Sequence, residues 1–436
     1  MDRTLMIVLL FFCSSYFVSQ AYGYDRMDPN GNITIRWDVL QENDDTTQDI
    51  RVSIVNNQLF RHIELPGWKL SWAWPGEEVI WSMLGAETTE QGNCSRFKGK
   101  VLPHCCAKEP VIVDLLPGTQ YNKQVSNCCR GGVLSSMLQD PGKYVSMFQM
   151  HIGTTGSNVS SAPGIPVNFT VGIPGYTCGP AESVSPTKFY EDQGRRKTQA
   201  FATWNVTCLY SQFLASTAPT CCVSLSAFYS NDIVPCPQCS CACQGQPNSK
   251  CLKNKESPPV LQLPNNEQPK PLVRCSNHMC PIQVHWHVKQ GYTLYWRVKI
   301  TVHNLNYVQN YSDWNLVMIH PNFNNITQIF SFNYKPLDIF QGFNDTGMFY
   351  GIQHYNDMLL HSGENGNAQS EMLMQKDPDF TFRDGWGFPR KISFNGQQCV
   401  MPLPDNYPRL PNSSHFIEAS VILLLSFLVL LVLLLF

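Results

Sequence analysis

The stretch Asn32-Ile33-Thr34-Ile35-Arg36-Trp37-Asp38-Val39 decides the fold class of this 436-residue chain. Apolar and polar side chains alternate along it, so every second residue from Ile33 to Val39 points to one face. A period of two predicts a half-buried β-strand. The segment from Asp49 to Ile54 repeats the pattern, and long helical periodicity is missing elsewhere. The sequence therefore predicts an all-β fold of two β-sandwich-like domains with disulfide-rich loops.

Four tryptophans follow these strands. Trp68, Trp72 and Trp74 fall on one face of a predicted strand, and Trp81 lies in the next strand, from Glu78 to Leu84. In one interpretation the rings fill a sandwich core, because each buries a large apolar area. In the other, one or two of them form a flat platform that stacks on sugar rings. A mixed arrangement is expected, with Trp68 and Trp72 buried and Trp74 near the rim, next to the Pro75-Gly76 turn.

Four carboxylates in the same region could suggest an enzyme. They are Glu77, Glu78, Glu87 and Glu90. Glycoside hydrolysis requires two carboxylates about 5–10 Å apart across the scissile bond. Nothing in this pattern demands catalysis, and exposed loop carboxylates are the commoner case. No catalytic residue and no cofactor are therefore predicted.

The 18 cysteines indicate an oxidising compartment and disulfide bonds. Seventeen remain once Cys13 of the predicted signal is removed, so at least one is unpaired or pairs between chains. The adjacent pairs Cys105-Cys106 and Cys128-Cys129 are expected to bond outward to different strands, because a ring between neighbours is strained. The Cys-rich segment 204–251 predicts a disulfide knot rather than a zinc or iron–sulfur site.

Two histidines in the second half raise the question of a metal site. His285 and His287 share one face of a predicted strand that runs from Ile282 to Val288, shortly after Cys280. Copper or zinc would need a third ligand and supporting hydrogen bonds. Ordinary strand histidines are commoner, so no metal site is predicted. With the next predicted strand, from Tyr295 to Val302, this segment forms a hairpin.

Both ends of the chain carry targeting signals. Residues 1–23 combine basic Arg3, an apolar run and the small-x-small site Ala21-Tyr22-Gly23, which is typical of a cleaved secretory signal. Residues 421–436 are apolar and no basic residue follows them. Small residues, a polar spacer and a terminal apolar tail are the signal for a glycosylphosphatidylinositol (GPI) anchor, which favours Asn412 as the attachment residue because Ser414 lies two residues on. Residues 413–436 would then be removed.

Asn-x-Ser/Thr acceptor sites for N-glycosylation agree with export. The one at Asn93 is doubtful, because Cys94 at its centre is a disulfide candidate. The others begin at Asn32, Asn158, Asn168, Asn205, Asn310, Asn325 and Asn344.

The remaining boundaries follow from composition. A run rich in Gly, Ser and Pro places a domain boundary after residue 173, giving domains 24–173 and 174–400. Residues 244–271 read as a flexible loop, and residues 401–412 as a semi-rigid Pro-rich spacer. The net charge of −2 provides no basic field, which excludes nucleic acid as a partner.

Several segments together resemble one protein family. They are Asp28-Pro29-Asn30-Gly31-Asn32-Ile33-Thr34, Val79-Ile80-Trp81-Ser82-Met83, Pro103-His104-Cys105-Cys106, Asn127-Cys128-Cys129-Arg130-Gly131-Gly132, Arg195-Arg196-Lys197-Thr198-Gln199-Ala200, Cys221-Cys222-Val223-Ser224 and Asn344-Asp345-Thr346-Gly347-Met348-Phe349-Tyr350-Gly351. In this order they resemble the COBRA family of plant GPI-anchored wall proteins, and Cys-Cys-Val-Ser is that family's hallmark. The resemblance covers essentially the whole mature chain.

The resemblance implies an N-terminal part like a cellulose-binding module, a central Cys-rich segment and a cleaved tail. It implies a non-enzymatic protein on the outer face of the plasma membrane, facing the cell wall. Its partners would be cellulose or glucan chains and the outer leaflet, and its role would be to guide microfibril deposition, orientation and oriented cell expansion. The family's aromatic binding role maps onto Trp68, Trp72, Trp74 and Trp81. Two alternatives stay open: a glycan-active hydrolase or transferase, and a scaffold that positions the cellulose synthase complex.

Overall fold

A computed structural model describes residues 25, 27–44, 46–154, 162–191, 194–215, 219–237, 250–251, 274–275, 280–307, 309–337, 345–379 and 386–409. The sequence expectations that lie outside these residues are the signal 1–23, most of loop 244–271, Asn158, Asn344, Asn412 and the tail 413–436. Among the described residues, no helix has the length and apolarity needed to span a membrane.

The N-terminal unit is built from antiparallel strands. A 3₁₀ turn at Tyr121–Lys123 lies between two of them. In chain order the strands are β1 (Ile33–Asp44), β2 (Thr47–Asn56), β3 (Lys69–Ala73), β4 (Glu78–Leu84), β5 (Ala86–Thr88), β6 (Val111–Asp114), β7 (Val145–Thr154), β8 (Val167–Thr170), β9 (Tyr176–Cys178), β10 (Glu182–Val184), β11 (Lys188–Glu191), β12 (Arg196–Gln199) and β13 (Ala202–Tyr210).

Two sheets of this unit pack face to face. A seven-stranded sheet has the order β10-β13-β1-β2-β7-β4, with β9 also paired to β13, and a four-stranded sheet has the order β5-β6-β3-β8. The alternating apolar residues of β1 and β2 face inward, where they meet those of β3. The hairpin β11–β12 stands apart from both sheets. The predicted β-sandwich is therefore present in this half of the chain.

The tryptophan face of β3 is core. Trp68, Trp72 and Trp74 are each at most 2% exposed. Trp37 of β1 crosses onto Trp72 and Trp74, with ring centres 5.3 and 6.1 Å away. The expectation that Trp74 lies near the rim is wrong, because the opposite sheet covers it as completely as the other two. These three rings cannot serve as a sugar platform, since stacking requires an accessible ring face.

One pair of neighbouring cysteines departs from the expectation. Cys128 and Cys129 are bonded to each other rather than outward. The carboxylate of Asp114, at the end of β6, accepts the backbone N–H groups of Cys129, Arg130 and Gly132 at 2.8–2.9 Å. These hydrogen bonds hold both cysteines within one tight turn, away from other strands.

The other pair behaves as expected in part. Cys106 bonds outward to Cys94, which confirms the doubt about the Asn93 sequon. Cys105 is a free, buried thiol whose pKa is raised by burial. A free cysteine agrees with the odd number left after the signal is removed.

The C-terminal unit has a similar plan. Its strands are β14 (Cys221–Ala227), β15 (Ser230–Val234), β16 (Lys250–Cys251), β17 (Arg274–Cys275), β18 (Ile282–Gly291), β19 (Tyr295–Asn304), β20 (Leu316–Ile319), β21 (Ile326–Ile329), β22 (Phe332–Pro336), β23 (Thr346–Gly351), β24 (Asn367–Gln375), β25 (Lys391–Phe394) and β26 (Gln397–Gln398). A short helix, α1 (His354–Asp357), and 3₁₀ turns at Pro321–Asn325, Met358–Leu360, Gly363–Asn365 and Pro404–Asn406 complete it.

A six-stranded sheet, β15-β14-β18-β19-β24-β21, packs on a five-stranded sheet, β22-β23-β20-β25-β26. The predicted hairpin of β18 and β19 is confirmed, and β14 joins it in parallel. The segment 347–351 belongs to the buried strand β23, in which Phe349 packs into the core between the sheets. Disulfides Cys221–Cys399 and Cys222–Cys236 fix both cysteines of the Cys-Cys-Val-Ser segment.

Two predicted boundaries are wrong. The units divide between Thr217 and Ala218 rather than after residue 173, because β13 pairs with β1 and belongs to the first sandwich. The Pro-rich segment is not a free spacer up to Pro408. Met401 and Tyr407 pack against the C-terminal core, and the Tyr229 hydroxyl donates to the Pro408 carbonyl at 2.9 Å.

Candidate functional site

The outer face of the seven-stranded sheet is polar across four strands. Because the register aligns strands β13, β1, β2 and β7, side chains from all four lie side by side, over roughly 14 Å at the usual strand spacing. One row consists of Thr203, Asp38, Arg51 and Gln149, and the next of Asn205, Arg36, Ser53 and Met147. An antiparallel sheet with one solvated face is ordinary, so what distinguishes this face must come from its walls.

A groove of about 560 Å³ lies on this face. The hairpin β11–β12 forms one wall through Phe189 and Tyr190, and Tyr144 with Val145 lies on the other side. The guanidinium carbon of Arg51 is 4.4 Å from the centre of the Phe189 ring, which anchors the hairpin to the floor. Tyr190 is 60% exposed, so its ring is available to a ligand.

The floor of the groove is held rigidly. The Thr203 hydroxyl donates to Oδ1 of Asp38 at 2.6 Å, and the backbone N–H of Thr187 donates to Oγ1 of Thr203 at 3.0 Å. Asp38 is only 1% exposed, so its carboxylate has a fixed orientation. It is the one carboxylate among the described residues that line the groove.

This combination suits a polyhydroxylated ligand. Arginine donates and hydroxyl groups both donate and accept, which matches the mixed donor and acceptor character of sugar hydroxyls, whereas the buried Asp38 carboxylate orders the floor from beneath. Aromatic walls offer apolar faces to C–H groups. The volume falls within the range of 300–1,000 Å³ that is usual for ligand sites. The volume and the lining of the groove are thus compatible with a saccharide.

Trp81 is the one sequence-predicted aromatic residue on this accessible face. It is half-buried on edge strand β4 and lies over Gly153 of β7, where the Cβ of any larger residue would come within 2.7 Å of the Trp81 Nε1. Its ring makes an edge contact with Phe97, with 5.5 Å between the ring centres. On the same outer face, Nδ1 of His151 lies 2.8 Å from Oδ1 of Asp49. Trp81 is thus at the edge of the face, whereas Trp68, Trp72 and Trp74 are beneath the sheet.

Sequence reasoning missed the groove residues themselves, namely Arg36, Arg51, Tyr144, Phe189 and Tyr190. The signal for the two arginines was present, since both occupy polar positions of the alternating strands. The aromatic wall was harder to predict from the sequence, because Phe189 and Tyr190 lie in a short hairpin rather than in a strand of either sheet.

The carboxylates considered for catalysis have other contacts. Glu78 is buried and accepts the backbone N–H groups of Gly76 and Gly164. Glu77 forms an exposed ion pair with Arg96. Glu87 and Glu90 are exposed. None of these four lines the groove.

The two histidines of β18 lie on one face, as expected, with parallel rings whose centres are 6.3 Å apart. Nδ1 of His285 is 2.6 Å from the Ser224 hydroxyl, and the Ser226 hydroxyl bridges Nε2 of His285 and Nδ1 of His287. Burial lowers the pKa of His285 to about 4. The described part of the chain contains no group of three metal-ligating side chains. The serines contact both ring nitrogens of His285 and Nδ1 of His287.

The exposed acceptor sites for glycosylation are Asn168, Asn310 and Asn325, while Asn32 and Asn205 are half-buried. Asn205 lies in the second polar row, next to Arg36. A glycan at Asn205 would crowd the groove, so we expect this residue to be unmodified if the groove is in use.

Comparison with known proteins covers both units. The profile of the COBRA N-terminal domain matches residues 49–211, and that of the COBRA family C-terminal domain matches residues 220–408. The chain is 54% identical to COBRA-like protein 2 of Arabidopsis thaliana, over 98% of each chain. It is 53% identical to Protein COBRA of the same plant, over 96% of this chain and 94% of that one. COBRA-like protein 3 of Oryza sativa subsp. japonica shares 56% identity over 90% of this chain and 87% of its own length.

Proposed function

Since this chain belongs to the COBRA family, we propose that it is a non-enzymatic cell-wall protein that binds a glucan chain and guides cellulose microfibril deposition. The observation that carries the proposal is the groove on the outer face of the seven-stranded sheet. Its aromatic walls and fixed polar floor suit an extended polysaccharide better than a compact metabolite, because the polar rows cross four strands over roughly 14 Å.

The polar floor also supports binding rather than catalysis. A glycosidase uses two carboxylates on opposite sides of the bond. Among the described lining residues only Asp38 is acidic, and it is buried under a hydrogen bond from Thr203. A bound chain would therefore meet groups that orient it and no pair of groups that could cleave it.

The location of the protein is part of the proposal. A cleaved signal at 1–23 and a GPI anchor at Asn412 would place both units on the outer face of the plasma membrane, where the partners are glucan chains and the outer leaflet. Because the chain is packed against the C-terminal unit as far as Pro408, only about four residues separate that unit from the anchor. At roughly 3.1 Å per residue this tether reaches about 12 Å, so the protein would work close to the membrane.

Replacing the exposed groove tyrosine tests the binding site. Tyr190→Ala removes an accessible ring face and should weaken adsorption of the mature protein to amorphous cellulose about tenfold, or roughly 1.4 kcal/mol. Depletion isotherms at fixed salt give the affinity. Tyr121→Ala is the matched control, because Tyr121 is 90% exposed in the same unit and does not line the groove.

Equal affinities for Tyr190→Ala, Tyr121→Ala and the unmodified protein would rule out the groove as the binding site. The same samples, assayed for new reducing ends on cello-oligosaccharides, test the enzyme alternative. Turnover that disappears with Asp38→Asn would favour a hydrolase over a binding protein.

A further inference from the structure

We propose that the C-terminal unit carries a second saccharide-binding groove, so that one molecule can hold two glucan chains. The choice of a glucan as ligand rests on the function proposed above. The existence of the groove rests on the structure of the C-terminal unit alone.

The outer face of the six-stranded sheet is also polar across four strands. The register of β14, β18, β19 and β24 aligns their side chains in rows, as in the first unit. One row consists of Ser224, His285, Thr301 and Gln369, and the next of Ser226, His287, Lys299 and Glu371. Hydroxyl, amide, imidazole and charged groups therefore form a continuous floor.

A groove of about 550 Å³ opens where this floor meets the edge of the sheet. Its wall consists of Phe330, Tyr355 and Met358, which stand beside β24. Phe330 is 45% exposed, so its ring is accessible to a ligand. Its backbone N–H donates to the carbonyl of Glu371 at 3.1 Å, so the ring has a fixed place next to the floor.

The charged groups of the floor are already organised. Glu371 accepts two hydrogen bonds from Arg297, from Nε at 2.9 Å and from Nη2 at 2.7 Å. It accepts a third from Nζ of Lys289 at 2.5 Å. The hydrogen bond from Lys289, followed by that from Arg297, lowers the pKa of the Glu371 carboxyl. One carboxylate holds both cations in place, and the floor keeps a net positive charge because Lys299 also lines the groove.

The neighbouring uncharged polar groups can pair with a ligand that carries many hydroxyls. The Gln369 amide donates to Oδ1 of Asn367 at 2.9 Å, which leaves the carbonyl of Gln369 and the second N–H free to pair with sugar hydroxyls. An aromatic ring fixed beside paired donors and acceptors repeats the chemistry of the first groove, where Tyr190 stands beside Arg51 and Asp38. The same class of ligand fits both.

Two sites on one chain change what binding can achieve. A polymer that engages both grooves gains avidity without any new contact, and two separate polymers can be bridged. Bridging neighbouring glucan chains would give a protein without catalytic activity a direct influence on how they associate.

Calorimetric titration of the mature protein with cellotetraose counts the sites, because a short oligosaccharide occupies one groove at a time. The unmodified protein should bind two equivalents. Phe330→Ala and Gln369→Ala should each bind one equivalent, in the first groove. Tyr190→Ala should also bind one equivalent, in the second groove. The double variant Phe330→Ala with Tyr190→Ala should bind none. Phe228→Ala is the matched control, since Phe228 is 51% exposed in the same unit and lies outside the groove lining. Circular dichroism checks that each variant is folded.

The outcomes separate the two proposals. One equivalent that is lost in Tyr190→Ala and kept in Phe330→Ala and Gln369→Ala overturns the second groove and leaves the first intact. One equivalent that is lost only in Phe330→Ala and Gln369→Ala supports the second groove and overturns the first. No binding by the unmodified protein overturns both.

Discussion

At the scale of single residues, burial assigns the roles of chemically similar side chains. His320 is completely buried, stacks on Trp286 with 5.6 Å between the ring centres, and accepts the backbone N–H of Asn322 through Nδ1 at 3.1 Å. It therefore caps the 3₁₀ turn at Pro321–Asn325 as a neutral ring. His285 and His287 lie on a half-solvated face and contact serines instead.

The buried imidazole predicts acid sensitivity. Burial lowers the pKa of His320 to about 3, whereas an unfolded histidine titrates near 6.5. Below pH 6.5 the unfolded chain takes up a proton that the folded chain does not, so the stability contributed by neutral His320 falls as pH drops from 6.5 towards 3. Between pH 7 and pH 4.5 the loss should be roughly 2–3 kcal/mol.

Urea unfolding of the protein and of His320→Gln at both pH values measures this contribution. The free energy of unfolding of the unmodified protein, relative to that of His320→Gln, should be roughly 2–3 kcal/mol lower at pH 4.5 than at pH 7. His361→Gln, at an exposed position, is the control for the substitution itself. A difference between protein and His320→Gln that does not change with pH would contradict the prediction.

At the scale of elements, disulfides and backbone hydrogen bonds connect strands that are distant in sequence. Cys221–Cys399 closes a loop of 178 residues and ties the start of β14 to the segment after β26. Next to this disulfide, the backbone N–H of Val223 donates to the carbonyl of Val400, and the backbone N–H of Val400 donates to the carbonyl of Cys221, both at 2.9 Å. Cys94–Cys106 closes only 12 residues.

Loop length predicts unequal effects of removing these disulfides. The chain-entropy estimate gives about 5 kcal/mol for the long loop and about 3 kcal/mol for the short one. Replacing Cys221 and Cys399 by Ala should therefore lower the free energy of unfolding by more than replacing Cys94 and Cys106 by Ala. Denaturant titration of the two double variants makes the comparison, and equal losses would argue that loop entropy is not the source.

At the scale of the whole molecule, the last residues connect the folded units to the proposed anchor. Asn412 has small neighbours at Ser413 and Ser414, which the attachment reaction requires. Asn412→Trp should abolish lipid attachment while both units still fold, because the substitution lies after the packed residues. Phase partitioning of protein from plant cells in detergent, with and without phospholipase treatment, measures the lipid.

Ser413→Ala is the control for that experiment, since it keeps a small residue next to the attachment site. Detergent-phase partitioning by Asn412→Trp equal to that of the control would show that Asn412 is not the attachment residue. Restoration of wall organisation in a mutant plant by the unanchored variant would show that proximity to the membrane is dispensable.

The sequence by itself determined the strands, because a period of two and β-branched or aromatic residues act locally. The alternation from Ile33 to Val39 placed the core face of β1 correctly, and the segment predicted as a strand from Glu78 to Leu84 is a strand at those residues. The cysteine count, and the position of Cys94 within its sequon, indicated disulfide bonds. Such an inference also needs no tertiary structure, because it depends only on residue type and on the expected compartment.

Only the tertiary structure decided which faces are covered. Trp74 stands beside a turn, yet it is buried because Trp37 of another strand packs against it. The domain boundary moved because β13 pairs with β1, which lies far earlier in the chain, and the pairing of Cys128 with Cys129 depends on Asp114 of β6. Both grooves arise where a hairpin or helix stands beside a polar sheet face. Such sites are created by packing between residues that are distant in sequence, and no local pattern of residues specifies that packing.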